Sequence, residues 1–222
     1  TRHNYMFHRE IYAKVAALFE LRRANKAYAL IDLGCGSVRF LAPALLQSPP
    51  AYYEGVDLSE NALEEAAGYL ESVSGVHLRR HGDLLEAMAT TDRKWDVVFS
   101  GFALHHLALD QKAAFFDAVA THLSEEGWFL LVDVLRDESQ TREAYLDRYI
   151  RMMRSTWPEI PPDQLEQACV HVAECDYPED MSTLSEMAKM SGLNSTLAIS
   201  RYGQHCSILF TRNIQPEVTE LL

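Results

Sequence analysis

"LIDLGCGS", residues 30–37, gathers Leu30, Ile31 and Leu33 around one acid, Asp32, and then sets Gly34 and Gly36 on either side of Cys35. A short apolar run of this kind reads as a strand buried on both faces. The glycines that end it let the chain turn tightly and let another group approach the main chain with no Cβ in the way. "SVRFLAPALLQ" (37–47) follows with helical spacing, shortened or kinked by Pro43. Strand, glycine turn and helix therefore come in order, and the rhythm continues. "AYYEGVDL" (51–58), "GVHLRRH" (75–81), "WDVVFSG" (95–101) and "GWFLLVDVL" (127–135) read as strands. Between them, "ENALEEAAGYLESV" (60–73), "DLLEAMA" (83–89) and "DQKAAFFDAVATHL" (110–123) read as helices. Parallel strands need helical crossovers, so the alternation predicts a doubly wound α/β fold.

The flanks complete that fold. Residues 5–23 repeat their apolar positions at helical spacing, and residues 1–24 are expected to form a helical lid. Residues 137–180 are mostly helical and supply no clear strand, which predicts a helical cap insertion. After a helix over 181–193 ended by Gly192, the strands "STLAISRY" (195–202) and "HCSILFTR" (205–212) meet at Gly203 and Gln204. The expected result is one domain over residues 1–222, with a mostly parallel seven-stranded sheet whose last strand is antiparallel.

Composition narrows the partners. The chain has 222 residues, 48% hydrophobic and 23% charged, enough to bury a full core. Its 32 acidic and 20 basic side chains give a formal charge of -12, which repels phosphate backbones and anionic lipid. Nucleic acid and membranes are therefore not expected as partners. Cys35, Cys169, Cys175 and Cys206 form no C-x-x-C pair and read as reduced thiols in a cytoplasmic protein, Cys35 being a small packing residue. A removed leader stays open because the sequence does not begin with Met, and the oligomeric state is left open too.

In a doubly wound sheet the loop after the first strand lies where the strand order reverses and ligands bind. Gly34 and Gly36 fall there, before a helix N-terminus that favours a negative group. About 20 residues on, Asp57 ends the second strand, where a carboxylate can accept both hydroxyls of a ribose. Asp83 follows the third strand in the same crevice, or caps the next helix; Ser59 is the better cap candidate than Asp57. Arg39 stands where a dinucleotide fold needs its third glycine, which argues against a nicotinamide cofactor.

These residues resemble the class I S-adenosylmethionine-dependent methyltransferases of small-molecule type over nearly the whole chain. "LIDLGCGS" is similar to the family's glycine-rich motif, with Ser37 where a third glycine is often found, and "GVDLS" to its second-strand acidic motif. "HGDLLEA" resembles the segment lining the adenine, and "WDVVFSGFALHHL" the fourth strand and its loop. The resemblance implies S-adenosylmethionine as cofactor. It places Asp57 and Leu58 at the ribose, Asp83 and Leu84 at the adenine, Gly34 and Gly36 beside the methionine part, Asp32 near its amino group, and Ser100, Gly101 and Phe102 along the remaining wall. "SGFALHHL" lacks the Asn/Asp-Pro-Pro-aromatic run of methylases acting on exocyclic base amines. It is similar to the loop of enzymes that methylate small molecules at oxygen or nitrogen.

Methyl transfer from a sulfonium needs mainly alignment and exclusion of water; a hydroxyl or protonated amine also needs a base. His105 and His106 are the candidates, with at most one facing the crevice, and both can instead be packing or solvent residues. Tyr5, Tyr12, Tyr149 and His171 are the candidate acceptor contacts, alongside Tyr145, Trp157 and Tyr177 of the cap. Tyr145 and Tyr149 share a helix face, which serves core packing as well as a substrate wall. Asp133 stands alone near the mouth, so no metal site is expected. Two rival readings remain: a catalytically silent binding subunit of the same fold, and a nucleotide-dependent oxidoreductase.

Overall fold

The computed structural model describes residues 3–219, without the side chains of residues 23–25; both extremes of the expected 1–222 domain and the start of the 1–24 lid lie outside it. A seven-stranded sheet has the order β3-β2-β1-β4-β5-β7-β6. Its strands are β1 (Ala29–Leu33), β2 (Tyr52–Asp57), β3 (Val76–His81), β4 (Trp95–Gly101), β5 (Leu123–Val134), β6 (Ser195–Tyr202) and β7 (His205–Thr211). β1 pairs in parallel with β2 and β4, and β7 inserts antiparallel between β5 and β6. The last strand is thus the one reversed strand, as the hairpin at Gly203 requires.

Helices α1 (His8–Asn25), α2 (Ala42–Gln47), α3 (Glu60–Leu70), α4 (Leu84–Thr90), α5 (Leu109–His122) and α8 (Met181–Met190) cover the sheet. Successive strand residues point to opposite faces. Accordingly Trp128, Leu130 and Val132 of β5 join one core with Ile11, Val15 and Phe19 of α1. Phe129 and Leu131 join the other, with Phe115 and Phe116 of α5 and Leu184 of α8. Burial on both faces is what made these strands continuous apolar runs. Phe129 is fully buried against Phe116 and Phe210, so Phe129→Ala removes about 3–5 kcal/mol.

The helix expected over 37–47 is shorter. Residues 37–41 belong to the glycine loop, where Val38 takes φ +61, and α2 begins at Ala42. Pro43 sits in its first turn, where a missing N–H costs nothing, and so starts the helix rather than kinking it. Between β5 and α8 lie α6 (Arg142–Thr156) and α7 (Pro162–Cys175), and a short α9 (Pro216–Thr219) follows β7. Tyr145, Tyr149, Met153, Trp157 and Cys169 of α6 and α7 and of the turn between them pack with Val134, Tyr5, Met6 and Phe102 as a third apolar cluster. The cap therefore rests on the end of β5, the start of the chain and the loop after β4. Among the described residues no helix is long and apolar enough to cross a membrane.

Candidate active site

The carboxyl ends of β1, β2 and β4 surround the glycine loop. Gly34 N and Cys35 N donate to the Val56 carbonyl at 2.9 and 3.0 Å, tying the loop to β2. Gly34 has φ +75, and a Cβ there would lie 2.4 Å from the Ala103 Cβ; Gly36 has φ +51 and faces open space. One glycine serves packing and the other leaves main chain bare. Asp57 accepts from Gly36 N (2.7 Å) through Oδ2 and from Ser59 N (2.8 Å) through Oδ1. Its carboxylate therefore orders both the glycine loop and the start of α3, while Ser59 is the N-cap, accepting from Ala62 N.

Two clefts meet at this loop. The first, about 210 Å3, runs from His8 and Tyr12 of α1 past Asp32 and Gly34 to Phe102. Asp32 is buried; its Oδ2 accepts from Tyr53 Oη at 2.9 Å and its Oδ1 has no hydrogen-bond partner. Burial, with a smaller contribution from the nearby Asp57 charge, pushes its pKa up to about 7, against the opposing Tyr53 bond. A buried carboxylate oxygen left unbonded at a cavity wall fits an ammonium group. The second cleft, about 430 Å3, is lined by Asp57, Leu58, Asp83, Leu84, Phe102 and His106 among others. Asp83 does cap α4, accepting from Leu85 N (2.8 Å) and Glu86 N (3.0 Å), and both bonds use Oδ1. Capping and a place on the cleft wall coincide in this residue. The bare Gly36, Asp32 Oδ1 and the Asp57 wall together fit a nucleoside carrying an amino acid.

Three expected contacts fall elsewhere. Ser100 is fully buried and donates to the Leu33 carbonyl at 3.0 Å, so it stitches β4 to β1 and lines neither cleft. Covering helices on both faces put the end of β4 inside the core, and the wall passes to Gly101 and Phe102. Tyr12 belongs to the Asp32 cleft and not to the cap cavity. Tyr5 stacks on the outer side of Trp157 at 5.3 Å and accepts from Glu159 N at 3.2 Å. It borders a groove with Phe7, Tyr202 and His205 instead.

Beyond Phe102 lies a third cavity of about 230 Å3 beneath the cap, mostly apolar, lined by Met6, Val134, Tyr149, Met153, Trp157 and Val172. Its polar end holds His105, His106, His171 and Asp176. Tyr149 Oη pairs with His205 Nε2 at 2.9 Å, which fixes the ring in the cavity wall, while Tyr145 is wholly buried behind it. Tyr177 lies outside, under the Arg142 guanidinium at 4.4 Å.

The two adjacent histidines differ sharply. His105 is buried; its Nδ1 donates to Asp133 Oδ1, its backbone N donates to Asp133 Oδ2 at 3.0 Å, and its Nε2 lies 3.6 Å from Asp176 Oδ1. Burial opposes charge on this ring, but the Asp133 charge and hydrogen bond and the Asp176 charge prevail and raise its pKa. His106 is partly exposed, with Nδ1 3.2 Å from the Cys175 carbonyl, and burial followed by the His105 charge lowers its pKa. Of the pair, only His106 borders both the Asp57 cleft and the cap cavity. Sequence reasoning missed Asp133 as a partner, although Gly101 pairs with Val132 and so puts Asp133 level with the loop after β4. Asp176 gave no signal, because only the path of the cap brings it there.

A family model described as a methyltransferase domain matches residues 31–129, from the glycine loop to the start of the β5 core. That segment, which holds the glycine loop, Asp57, Asp83 and Phe102, is similar to a methyltransferase domain. The match supports the methyltransferase reading over the oxidoreductase one. No curated protein sequence matches the chain at a significant level. Solved methyltransferase structures share its fold: an O-methyltransferase family protein from Burkholderia thailandensis has a TM-score of 0.63 at 16% identity, covering 85% of this chain and 52% of that one. Magnesium protoporphyrin IX methyltransferase from Synechocystis PCC 6803, solved with bound S-adenosylmethionine, has a TM-score of 0.61 at 15% identity, covering 93% and 80%. Mitomycin 7-O-methyltransferase has a TM-score of 0.59 at 18% identity, covering 84% and 49%. The chain thus spans about half the length of the first and third of these structures.

Proposed function

We propose that this chain transfers a methyl group from S-adenosylmethionine to an oxygen or nitrogen of a small molecule held beneath the cap. The observation that carries this reading is the position of His106 and Phe102, which border both the Asp57 cleft and the cap cavity. Two binding spaces of different chemistry thereby meet at one imidazole. S-adenosylmethionine supplies, when bound, an electrophilic methyl on sulfur. For that ligand Asp57 and Leu58 would hold the ribose, Asp83 and Leu84 the adenine, Gly34 and Gly36 the methionine chain, and Asp32 its ammonium group.

Protein side chains orient the acceptor. Trp157, Tyr149 and Val172 give an apolar wall suited to an aromatic or partly apolar molecule, with His106 and His171 at the polar end. Eleven acids against four arginines over residues 137–180 oppose a polyanion. The structural neighbours named as O-methyltransferases support oxygen as the receiving atom. A cytoplasmic setting is part of this proposal.

An acceptor screen with labelled cofactor tests the reading. Turnover of phenols, hydroxylated aromatics or aromatic amines is expected, and His106→Ala should lower kcat about 10²-fold with cofactor affinity unchanged, the scale of a misaligned reacting group. Product-cofactor binding without any turnover would favour the silent-subunit reading.

A further inference from the structure

We propose that His105, His106 and Asp176 form a divalent transition-metal site at the polar end of the cap cavity, whose open side takes an oxygen of the acceptor. The proposal rests on reading that cavity as the acceptor's. One nitrogen from each ring and one Asp176 oxygen lie within 4.8 Å of one another. His105 Nε2 and His106 Nδ1 are each 3.6 Å from Asp176 Oδ1. Donors at ~2.0–2.1 Å from a tetrahedral ion stand about 3.3–3.4 Å apart, so the two separations to Asp176 close with shifts of a few tenths of an ångström, while metal binding turns the His106 ring toward His105 and releases its Nδ1 from the Cys175 carbonyl.

Independent features point to a ligand here. Asp176 is 4% exposed, and its Oδ1 has no hydrogen-bond partner although it faces two imidazoles. Such an oxygen is costly to bury unless something charged completes it. His105 donates its Nδ1 hydrogen to Asp133, so that in the neutral ring, the form a cation selects, Nε2 carries the lone pair on the Asp176 side. A carboxylate behind a ligating imidazole is the usual support of a metal-bound histidine. Charge agrees as well. With neutral imidazoles the buried Asp133 and Asp176 carry two negative charges, and the adjacent Lys112 is already paired with Glu179 at 2.8 Å. A doubly charged cation neutralises them.

Two imidazoles and one carboxylate, opening on a cavity, make a donor set of the catalytic rather than the structural kind. It favours Zn2+, Fe2+ or Co2+ over Mg2+, which prefers oxygen alone. An acceptor hydroxyl on the open side becomes more acidic as its oxygen binds the ion, and its proton leaves to water. That assigns the acceptor class as a hydroxyl-bearing aromatic rather than an amine.

Untagged full-length protein stripped with a chelator is titrated with Zn2+ by calorimetry, and with Co2+ by visible absorption. One equivalent of Zn2+ per chain is expected, with Mg2+ at the same concentration giving no heat. His106→Ala and Asp176→Asn should each weaken Zn2+ binding at least tenfold, and Asp133→Asn by about 10–100-fold. Cys175→Ser should leave it unchanged and Co2+ should show no thiolate charge-transfer band, which separates this site from capture by the neighbouring thiol. Absence of stoichiometric Zn2+, or undiminished affinity in a folded His106→Ala/Asp176→Asn double variant, overturns the site and leaves an ion pair of protonated His105. Calorimetry with S-adenosylhomocysteine on the same samples keeps the outcomes distinct. Binding of it without metal leaves the methyltransferase reading standing, and its loss throughout condemns that reading instead.

Discussion

Asp57 lines its cleft while its two oxygens accept from Gly36 N and Ser59 N, so one carboxylate is proposed both to order the loop and to bind the ligand. Its backbone bonds fix the carboxylate before any ligand arrives. On the proposed function, Asp57→Ala would therefore remove a ribose contact and loosen the glycine loop together. We expect affinity for S-adenosylhomocysteine to fall by roughly 1.5–3 kcal/mol, the range for hydrogen bonds to charged groups. Calorimetry with undiminished affinity would sink the assignment. Asp32 makes a different prediction, through pH. Burial first, then the Asp57 charge, lifts its pKa to about 7 in the fold, whereas an exposed Asp ionises near 3.9. Folding therefore takes up a proton at Asp32 between those values. The stability it contributes is complete below pH ~4 and is lost as pH rises through about 7. Denaturant melts across this range should show a falling term of about 1.4 kcal/mol per pH unit in the native chain relative to Asp32→Asn. An ammonium bound at Oδ1 favours the ionised acid, so affinity for S-adenosylhomocysteine should rise from pH 6 to 8 and stay flat in Asp32→Asn. Parallel slopes in the two proteins would place the amino group elsewhere.

At the scale of elements, the glycine loop separates packing from binding. Both glycines take a left-handed conformation that costs an L residue about 1–2 kcal/mol. Gly34→Ala adds a collision with Ala103, while Gly36→Ala meets nothing within 4 Å. Gly34→Ala should thus melt well below Gly36→Ala, whereas Gly36→Ala should lose mainly cofactor affinity because its methyl enters the cleft. Equal melting temperatures would mean that the loop relaxes around Ala103. The sequence made this loop and its strands readable because burial on both faces leaves short apolar runs within β1, β4 and β5. It misled at Ser100, since a polar residue at a strand end looks like a mouth residue when the covering helices are not in view. It also gave α2 five residues too early, because helical spacing persists through a loop whose Val38 is left-handed. Asp133 was recoverable from strand register, but Asp176 depends on how α7 returns over the sheet.

The whole molecule converges on Phe102, whose residue borders the Asp32 cleft, the Asp57 cleft and the cap cavity. Around it, the start of α1 supplies His8, the ring of which stacks on Phe40 at 4.0 Å, and the cap supplies Trp157, which in turn stacks on Tyr5. Three segments distant in sequence therefore depend on one another through aromatic contacts rather than through the sheet. A ligand filling the Asp32 cleft should tighten that assembly. At a concentration of 100 times its Kd, S-adenosylhomocysteine should stabilise the fold by about 2.7 kcal/mol. Hydrogen exchange should slow at residues 34–41, at 101–107 and in the first turn of α1, since His8 and Tyr12 share the cleft with Asp32. The β6–β7 hairpin, held by its own ladder, should exchange as before. His8→Ala should weaken the protection of α1 while sparing that of the glycine loop. If the first turn of α1 exchanges identically with and without ligand, α1 is a fixed cover of the sheet, and coupling between lid and cofactor is absent.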